Sequence, residues 1–185
     1  VRIDVKKCNI DFLSCGTQKW LLGMQGLAFI FVDEELQKKI YPANVGWLSV
    51  ENAWNLLDYK LDLKTSANVF QGGTLNTFGI YAFNTSLNLF NDFGFDNVES
   101  EVLSNTKYFI NKLKAIGLDC VLSNCRDEDL AGILTIKPEN PERVFKKLEN
   151  KNIVCSFREG FLRFAPHFYN THHEIDKVVE ELQKI

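Results

Sequence analysis

Short strand-like apolar stretches come first along the chain, and longer helical periods follow them. Apolar stretches bounded by turn residues predict two strands, at 11–15 and 27–32. The acidic triplet 33–35 then favours the first turn of a short helix. Residues 40–73 show no regular period. The N-terminal part is therefore predicted to hold two strands, a short helix and a long irregular segment.

Two helical periods occupy the middle of the chain, over 74–92 and 97–116, and Gly94 separates them. The first predicted helix should bury an apolar face made of Phe78, Tyr81, Ala82, Thr85 and Leu89. The stripe of the second consists of Val98, Val102, Phe109, Leu113 and Ile116. Gly117 marks the expected C-terminal end of that helix.

The remainder alternates short strands with helices. Strands are predicted at 118–122, 132–136, 153–157 and 161–165, and the last two pair around a Glu159–Gly160 turn. One helix spans 141–150 with proline in its first position, and the last begins at a capping box formed by Thr171 and Glu174. The pattern predicts two units, 1–93 and 94–185, of which the second is a small α+β domain with about four strands and helices on one side.

Composition excludes several classes of partner. The 185 residues are 45% hydrophobic and 24% charged with a net charge of −3, so nothing suggests attraction to nucleic acid. The longest apolar run, 27–32, is far too short to span a membrane. The five cysteines are odd in number and lack CxxC spacing, which argues against a zinc site or a disulfide framework. We expect a cytoplasmic protein.

Lys19 is the first candidate for chemistry. It lies between a predicted strand and a glycine-punctuated turn, next to Thr17 and Gln18. A lysine in this position suits an imine with a carbonyl cofactor, but a solvated surface lysine fits the residues equally well. The side chains of Thr17 and Gln18 have hydrogen-bond donors for a phosphate, or they are simple strand-end polarity.

The segment 71–76 is the second candidate. Gly72 and Gly73 followed by Thr74 at a predicted helix start would make a nest for an anion such as phosphate. The alternative is an ordinary helix cap with glycines in the turn.

Arg163 is the third candidate, because it interrupts an apolar strand and needs an anionic partner. Its guanidinium suits an α-carboxylate, and a structural salt bridge is the alternative. The three histidines do not suggest a metal site. His172 and His173 diverge on a helix, and no third ligand has suitable spacing.

These residues together resemble the class V aminotransferases, fold-type I enzymes that use pyridoxal 5'-phosphate. Their superfamily includes cysteine desulfurases, kynureninases and isopenicillin N epimerase-like proteins. The resemblance runs from Val1 to the end of the chain. The matching positions are Asp11, Lys19, Trp20, Leu21, Gly23 and Gly26, then Gly73, Thr74 and Asn76, then Arg163 with Tyr169, Asn170 and Thr171.

The resemblance implies an α/β fold that is the C-terminal part of a fold-type I transferase. Residues 1–93 would be a partial large-domain sheet, and 94–185 the small domain. Lys19 would form an imine with pyridoxal 5'-phosphate, and Arg163 would anchor the substrate carboxylate. The cofactor-binding residues would be Thr17, Gln18, Lys19, Gly73, Thr74 and Asn76. Gln18 stands where many members have histidine.

The resemblance also implies a homodimer, with Thr74 reaching the partner's cofactor, and amino-acid and 2-oxo-acid substrates. A desulfurase, lyase or epimerase is the alternative within the superfamily. The connection from Arg158 to Arg163 holds no cysteine, Cys155 lies in a predicted strand, and Cys125 lies in a loop that the family places far from the cofactor. A desulfurase is therefore disfavoured. The pyridine partner is expected upstream of Val1, so a truncated fragment inert on its own is a further alternative.

Overall fold

The structure, a computed structural model, describes residues 2–184. The chain divides into two compact units, residues 3–92 and a second unit made of Arg2 and residues 93–184. The strands are β1 (Phe12–Gly16), β2 (Ala28–Val32), β3 (Leu134–Ile136), β4 (Ser156–Arg158) and β5 (Phe161–Phe164). The α-helices are α1 (Glu34–Gln37), α2 (Thr77–Phe93), α3 (Phe95–Ala115), α4 (Pro141–Glu149) and α5 (His172–Gln183). Short 3₁₀ turns lie at Trp47–Ser49, Ala67–Phe70 and Asp127–Asp129.

In the first unit, β1 and β2 form an antiparallel pair whose register runs from Phe12 opposite Val32 to Gly16 opposite Ala28. Both strands were predicted from the sequence, and both are confirmed. The loop 17–27 connects the two strands and contains Lys19. The position of this candidate lysine is therefore set by the strand ends at Gly16 and Ala28.

Helix α2 differs from its prediction in both its start and its buried face. It begins at Thr77 because Asn76 caps it, with Asn76 Oδ1 accepting a hydrogen bond from the Gly79 N–H at 2.9 Å. Phe78 and Tyr81, predicted to be buried, are exposed, whereas Gly79 and Phe90 are buried. Aromatic residues lie on both sides of this helix, so the 3.6-residue period alone selected the wrong face.

In the second unit, β3, β5 and β4 form a three-stranded antiparallel sheet with β5 in the centre. The fourth predicted strand, 118–122, is wrong, since only an isolated bridge joins Cys120 to Ile136. A turn bends the chain away: Ser123 Oγ accepts from the Cys120 N–H at 2.9 Å, and the Ser123 N–H donates to the Cys120 carbonyl at 3.0 Å. These two bonds take the place of further strand pairing between residues 118–122 and β3.

The core of the second unit packs α3, α4 and α5 together with one face of this sheet. Its most deeply buried side chains include Phe109, Leu113, Leu134, Ile136, Leu148, Leu162 and Ile175. The capping box of α5 is confirmed, because Thr171 Oγ1 accepts from the Glu174 N–H and Glu174 Oε2 accepts from the Thr171 N–H at 2.7 Å. Strand β4 starts later than predicted, because Asn152 turns the chain at a φ of 57° and the Ile153 N–H still bonds the Leu148 carbonyl.

Candidate active site

The loop that carries Lys19 is closed at its base by Thr17. The Thr17 N–H donates to the Leu27 carbonyl at 3.1 Å, and the Gly23 N–H donates to the Thr17 carbonyl at 2.8 Å. The Thr17 hydroxyl is fully buried and lies 3.1 Å from the carbonyl oxygens of both Met24 and Leu27. Thr17 therefore holds the loop closed through hydrogen bonds made by both its backbone and its buried side chain.

The turn directly after Lys19 is strained and tightly packed. The Leu22 N–H donates to the Lys19 carbonyl at 3.1 Å, and Leu22 has a φ of 54°, which L-residues rarely adopt. A Cβ at position 23 would lie 2.6 Å from Thr17 Oγ1 and 3.2 Å from the Phe83 ring. Only glycine fits there, so the turn keeps its shape through close contact rather than flexibility.

Helix α2 and its capping residue hold the same loop through one side chain each. Ser86 Oγ donates to the Leu22 carbonyl at 2.8 Å, and Asn76 Nδ2 donates to the Gly26 carbonyl at 3.4 Å. The structure thus brings Asn76, a predicted cofactor residue, to the lysine loop. Sequence reasoning missed Ser86, although it falls seven residues after Gly79 and so on the buried face of the helix.

Lys19 and Gln18 are both exposed. Among residues 2–184, no hydrogen bond or ion pair joins the Lys19 ammonium to a protein group, and the Gln18 amide is equally free. The Gln18 side chain folds back over the strand end, where its Oε1 would lie 2.7 Å from a Cβ at Gly16. The loop therefore presents a primary amine and an amide that its own fold does not consume.

The segment that contains Gly73 and Thr74 has no regular secondary structure, and because helix α2 starts only at Thr77, the prediction that Thr74 starts a helix is wrong. Its backbone is fixed by a close approach, since a Cβ at Gly46 would lie 1.7 Å from the Gly72 carbonyl oxygen. Ser49 Oγ joins the two segments by donating to the Gln71 carbonyl at 3.2 Å. The Thr74 hydroxyl is exposed, without a partner among residues 2–184.

Arg163 lies at the centre of the second unit's sheet. It is half-buried on β5, with Thr135 of β3 and Ser156 of β4 directly opposite on either side. No carboxylate among the described residues pairs with its guanidinium, so the salt-bridge alternative has no partner within residues 2–184. Arg163 remains available to an anion from outside the chain.

The free donors in the first unit suit pyridoxal 5'-phosphate in their chemistry. A free amine reacts with its aldehyde, and the Gln18 amide and Thr74 hydroxyl are donors for its phosphate. The Thr17 hydroxyl differs, because it already bonds within the loop. Asn76 likewise uses its side chain on Gly26 and Gly79.

The described residues form neither a metal-binding cluster nor a membrane-spanning helix. Within residues 2–184, no three His, Cys, Asp or Glu side chains cluster so that they could hold a metal ion. His167 is buried with its ring stacked on Tyr169, and the His172 ring stacks on Tyr108. In the same range no helix combines the length and the apolar character that crossing a membrane requires.

The comparison with protein families decides the assignment. The family model for aminotransferase class-V matches residues 1–178. The chain belongs to the class V aminotransferase family. This confirms the resemblance seen in the sequence, and the family is one of enzymes that depend on pyridoxal phosphate.

Curated relatives of this class V chain carry three kinds of name. It is 30% identical over 182 residues to the uncharacterized aminotransferase YcbU of Bacillus subtilis, covering 98% of the chain and 47% of YcbU. It is 29% identical to a probable cysteine desulfurase of Mycoplasma genitalium, covering 94% and 44%. It is 28% identical to a kynureninase of Shouchella clausii, covering 98% and 44%. The chain therefore spans about half the length of the curated relatives it matches.

Solved structures confirm the fold. The apo cysteine desulfurase from Thermococcus onnurineus NA1 superposes with a TM-score of 0.85 at 20% identity, covering 97% of this chain and 48% of that one. The cystine C-S lyase C-DES, in complex with its product cysteine persulfide, gives a TM-score of 0.86 at 16% identity, covering 99% and 49%. The class V chain is thus a mixed α/β structure equivalent to about half of a fold-type I enzyme.

Proposed function

We propose that this class V chain carries the lysine and carboxylate-binding part of a pyridoxal-phosphate-dependent aminotransferase that acts on an amino acid and a 2-oxo acid. The observation that carries the proposal is the free ammonium of Lys19 on a loop held from both sides, by buried Thr17 and by helix α2. When bound, pyridoxal 5'-phosphate supplies an electron sink for negative charge at the substrate Cα.

Lys19 has two tasks in this proposal. Its amine holds the cofactor through the aldehyde carbon, and once substrate has displaced it, the same amine moves a proton at Cα as general base and acid. Both tasks need an uncommitted nitrogen in a fixed place. The loop provides this, because Thr17, Ser86 and Asn76 fix the backbone while the ammonium stays free.

The remaining residues bind and orient. Gln18 and, across a homodimer, Thr74 donate hydrogen bonds to the phosphate, while Gly73 lets the backbone approach it closely. Thr17 and Asn76 act mainly on the loop that carries Gln18 and Lys19. Arg163 grips the α-carboxylate and so fixes which Cα bond is broken. The unpaired cysteines favour a reducing, cytoplasmic setting for the whole protein.

A cysteine desulfurase is the second candidate, supported by the names of several relatives. Such an enzyme needs a reactive thiolate. Burial raises the pKa of the Cys155 thiol, which disfavours the thiolate there, and leaves the exposed Cys125 as the better nucleophile. Sulfide release from cysteine that is lost in Cys125→Ser would favour the desulfurase. If the chain releases no sulfide from cysteine, the result favours the aminotransferase.

The test of the proposal is covalent trapping. The chain is incubated with pyridoxal 5'-phosphate, reduced with borohydride and mapped by mass spectrometry. We expect stoichiometric labelling at Lys19, abolished in Lys19→Ala and unchanged in Lys39→Ala, which removes another exposed lysine. Labelling scattered over surface lysines, or none at all, would contradict a cofactor site in this chain.

A further inference from the structure

The sheet of the second unit has one polar face. Directly opposed residues of antiparallel strands point to the same side, which places Arg163 beside Thr135 and Ser156. Arg158 and Phe161 oppose each other two residues further along the strands, and side chains two apart on a strand share a face. Two arginines therefore lie on the same face of the sheet.

The opposite face is the core. Leu134, Ile136, Leu162 and Phe164 are all at most 4% exposed. On the polar face Arg163 is half-buried and Arg158 is exposed. Replacing either arginine should therefore leave the core packing intact, so its effect on binding can be separated from an effect on folding.

Neither guanidinium on this face has an ion pair within residues 2–184. The exposed arginines elsewhere in this unit include two that do: Arg2 pairs with Asp96, and Arg126 pairs with Asp129. Lys137 adds a third positive charge, with its ammonium 5.3 Å from the centre of the Phe161 ring. The strand residues that point to this face include no acid, so the face holds a net positive charge that an anionic ligand would neutralise.

The spacing of the two arginines suits two separate anionic groups. Arg158 and Arg163 occupy diagonal positions on neighbouring strands, about 7–8 Å apart in a typical sheet. A guanidinium binds a carboxylate best when its planar fork faces both oxygens. Two guanidinium forks that start from residue positions this far apart can each face one end of a small dicarboxylate, whereas a single carboxylate pairs fully with only one fork.

We propose that Arg158 is the specificity-determining residue of this site and selects substrates with a second carboxylate. The inference rests on the proposed function, in which Arg163 receives the α-carboxylate. Arg158 then receives the side-chain carboxylate of an acidic amino acid or of a dicarboxylic 2-oxo acid. A substrate with one carboxylate leaves the Arg158 guanidinium unpaired, which lowers its affinity relative to a dicarboxylate.

The experiment is isothermal titration calorimetry of the 185-residue chain with glutarate and with pentanoate, which have the same number of carbons but two and one carboxylates. We expect glutarate to bind at least about tenfold more tightly, because a hydrogen-bonded charge pair contributes that much. Arg158→Gln should reduce glutarate affinity to that of pentanoate and leave pentanoate unchanged. Arg163→Gln should weaken both ligands, and the control Arg143→Gln, on α4, neither.

Equal affinity for the two ligands, or no measurable binding of glutarate, would overturn the inference. So would an equal loss for both ligands in Arg158→Gln, since that result means one carboxylate lies between both arginines. Labelling at Lys19 separates this inference from the proposed function. A chain that labels at Lys19 but does not discriminate keeps the function and loses the inference. A chain that discriminates without labelling keeps a dicarboxylate site on this sheet but contradicts the proposed function and, with it, the role of Arg158 in substrate choice.

Discussion

The side-chain hydroxyl of Thr17 lies 3.1 Å from the carbonyl oxygen of Leu27, which also accepts the Thr17 backbone N–H. The residue directly after β1 therefore contacts the residue just before β2 twice. Everything between them, including Lys19, is a closed loop. The backbone position of the candidate lysine thus depends on a buried threonine, which has this effect without contacting a ligand.

Replacing Thr17 with valine keeps the shape and removes the hydroxyl. The carbonyls of Met24 and Leu27 then lose a buried donor, and we expect a loss of about 1–3 kcal/mol in the free energy of unfolding measured in urea. Labelling of Lys19 by pyridoxal 5'-phosphate should fall in parallel. Thr17→Ser retains the hydroxyl and should keep most of the labelling. Full labelling in the valine variant would show that the loop does not depend on this bond.

Local signals in the sequence predicted local structure well. The Thr171 capping box, the Glu159–Gly160 hairpin and the β1–β2 pair each depend on residues close together in the chain, and each is confirmed. The buried face of α2 and the strand at 118–122 depend on distant partners. The position of Ser86 follows the helical period, but its partner Leu22 is 64 residues away and no local pattern reveals it. The Ser123 turn is local, but it lies inside an apolar stretch whose composition favours a strand.

The corrected face of α2 leads to a paired prediction. Phe90 is 3% exposed and Phe78 is 84% exposed, although both are phenylalanines on the same helix. Phe90→Ala should cost about 3–5 kcal/mol of unfolding free energy through cavity formation. Phe78→Ala should change it by less than about 0.5 kcal/mol. Urea titration of both variants checks the assignment, and a reversed order would mean that the predicted face was right after all.

The β4–β5 turn stores backbone strain in a non-glycine residue. Glu159 has a φ of 50° and Gly160 a φ of 78°, as in a two-residue turn of type I′. Asparagine adopts this conformation more easily than glutamate, so Glu159→Asn should stabilise the chain by about 0.5–1 kcal/mol. Glu139→Asn, an exposed glutamate outside the turn, is the matched control. A destabilised turn variant would show that the Glu159 side chain has a contact that offsets the strain.

A buried amide fixes the segment after Arg163. Asn105 of α3 is 2% exposed, and its Nδ2 donates to the carbonyls of His167 at 3.1 Å and Asn170 at 2.9 Å. Asn105→Leu should cost about 1–3 kcal/mol because both carbonyls lose this donor. Asn111→Leu, at an exposed position of the same helix, should be nearly neutral. Similar unfolding free energies for the two variants would rule out a structural role for the buried amide.

Asp176 on α5 makes the stability of the chain depend on pH, through its contacts with Lys112 and Tyr108 of α3. Hydrogen bonds from Lys112 and then Tyr108 hold the pKa of the Asp176 carboxyl below its usual value. The hydrogen bond to Asp176, and after it the one to Tyr108, raises the pKa of Lys112 to about 12. Because the folded carboxyl has the lower pKa, its stabilisation is present above the unfolded pKa of about 3.9 and is lost as pH falls through the folded value. The stabilisation from Lys112 is present below its unfolded pKa and is lost as pH rises towards about 12.

Asp176→Asn removes the charge while keeping the size of the side chain. We expect the variant to be less stable than the parent near neutral pH and the difference to shrink as pH falls below about 4, measured by urea unfolding across that range. The size of the effect should be modest, since the pair lies at the surface and is screened by solvent and salt. Asp119→Asn, an exposed aspartate without an ion pair within residues 2–184, is the control and should show no such convergence. A difference that stays constant with pH would mean that Asp176 stabilises the contact between α3 and α5 by its hydrogen bonds alone.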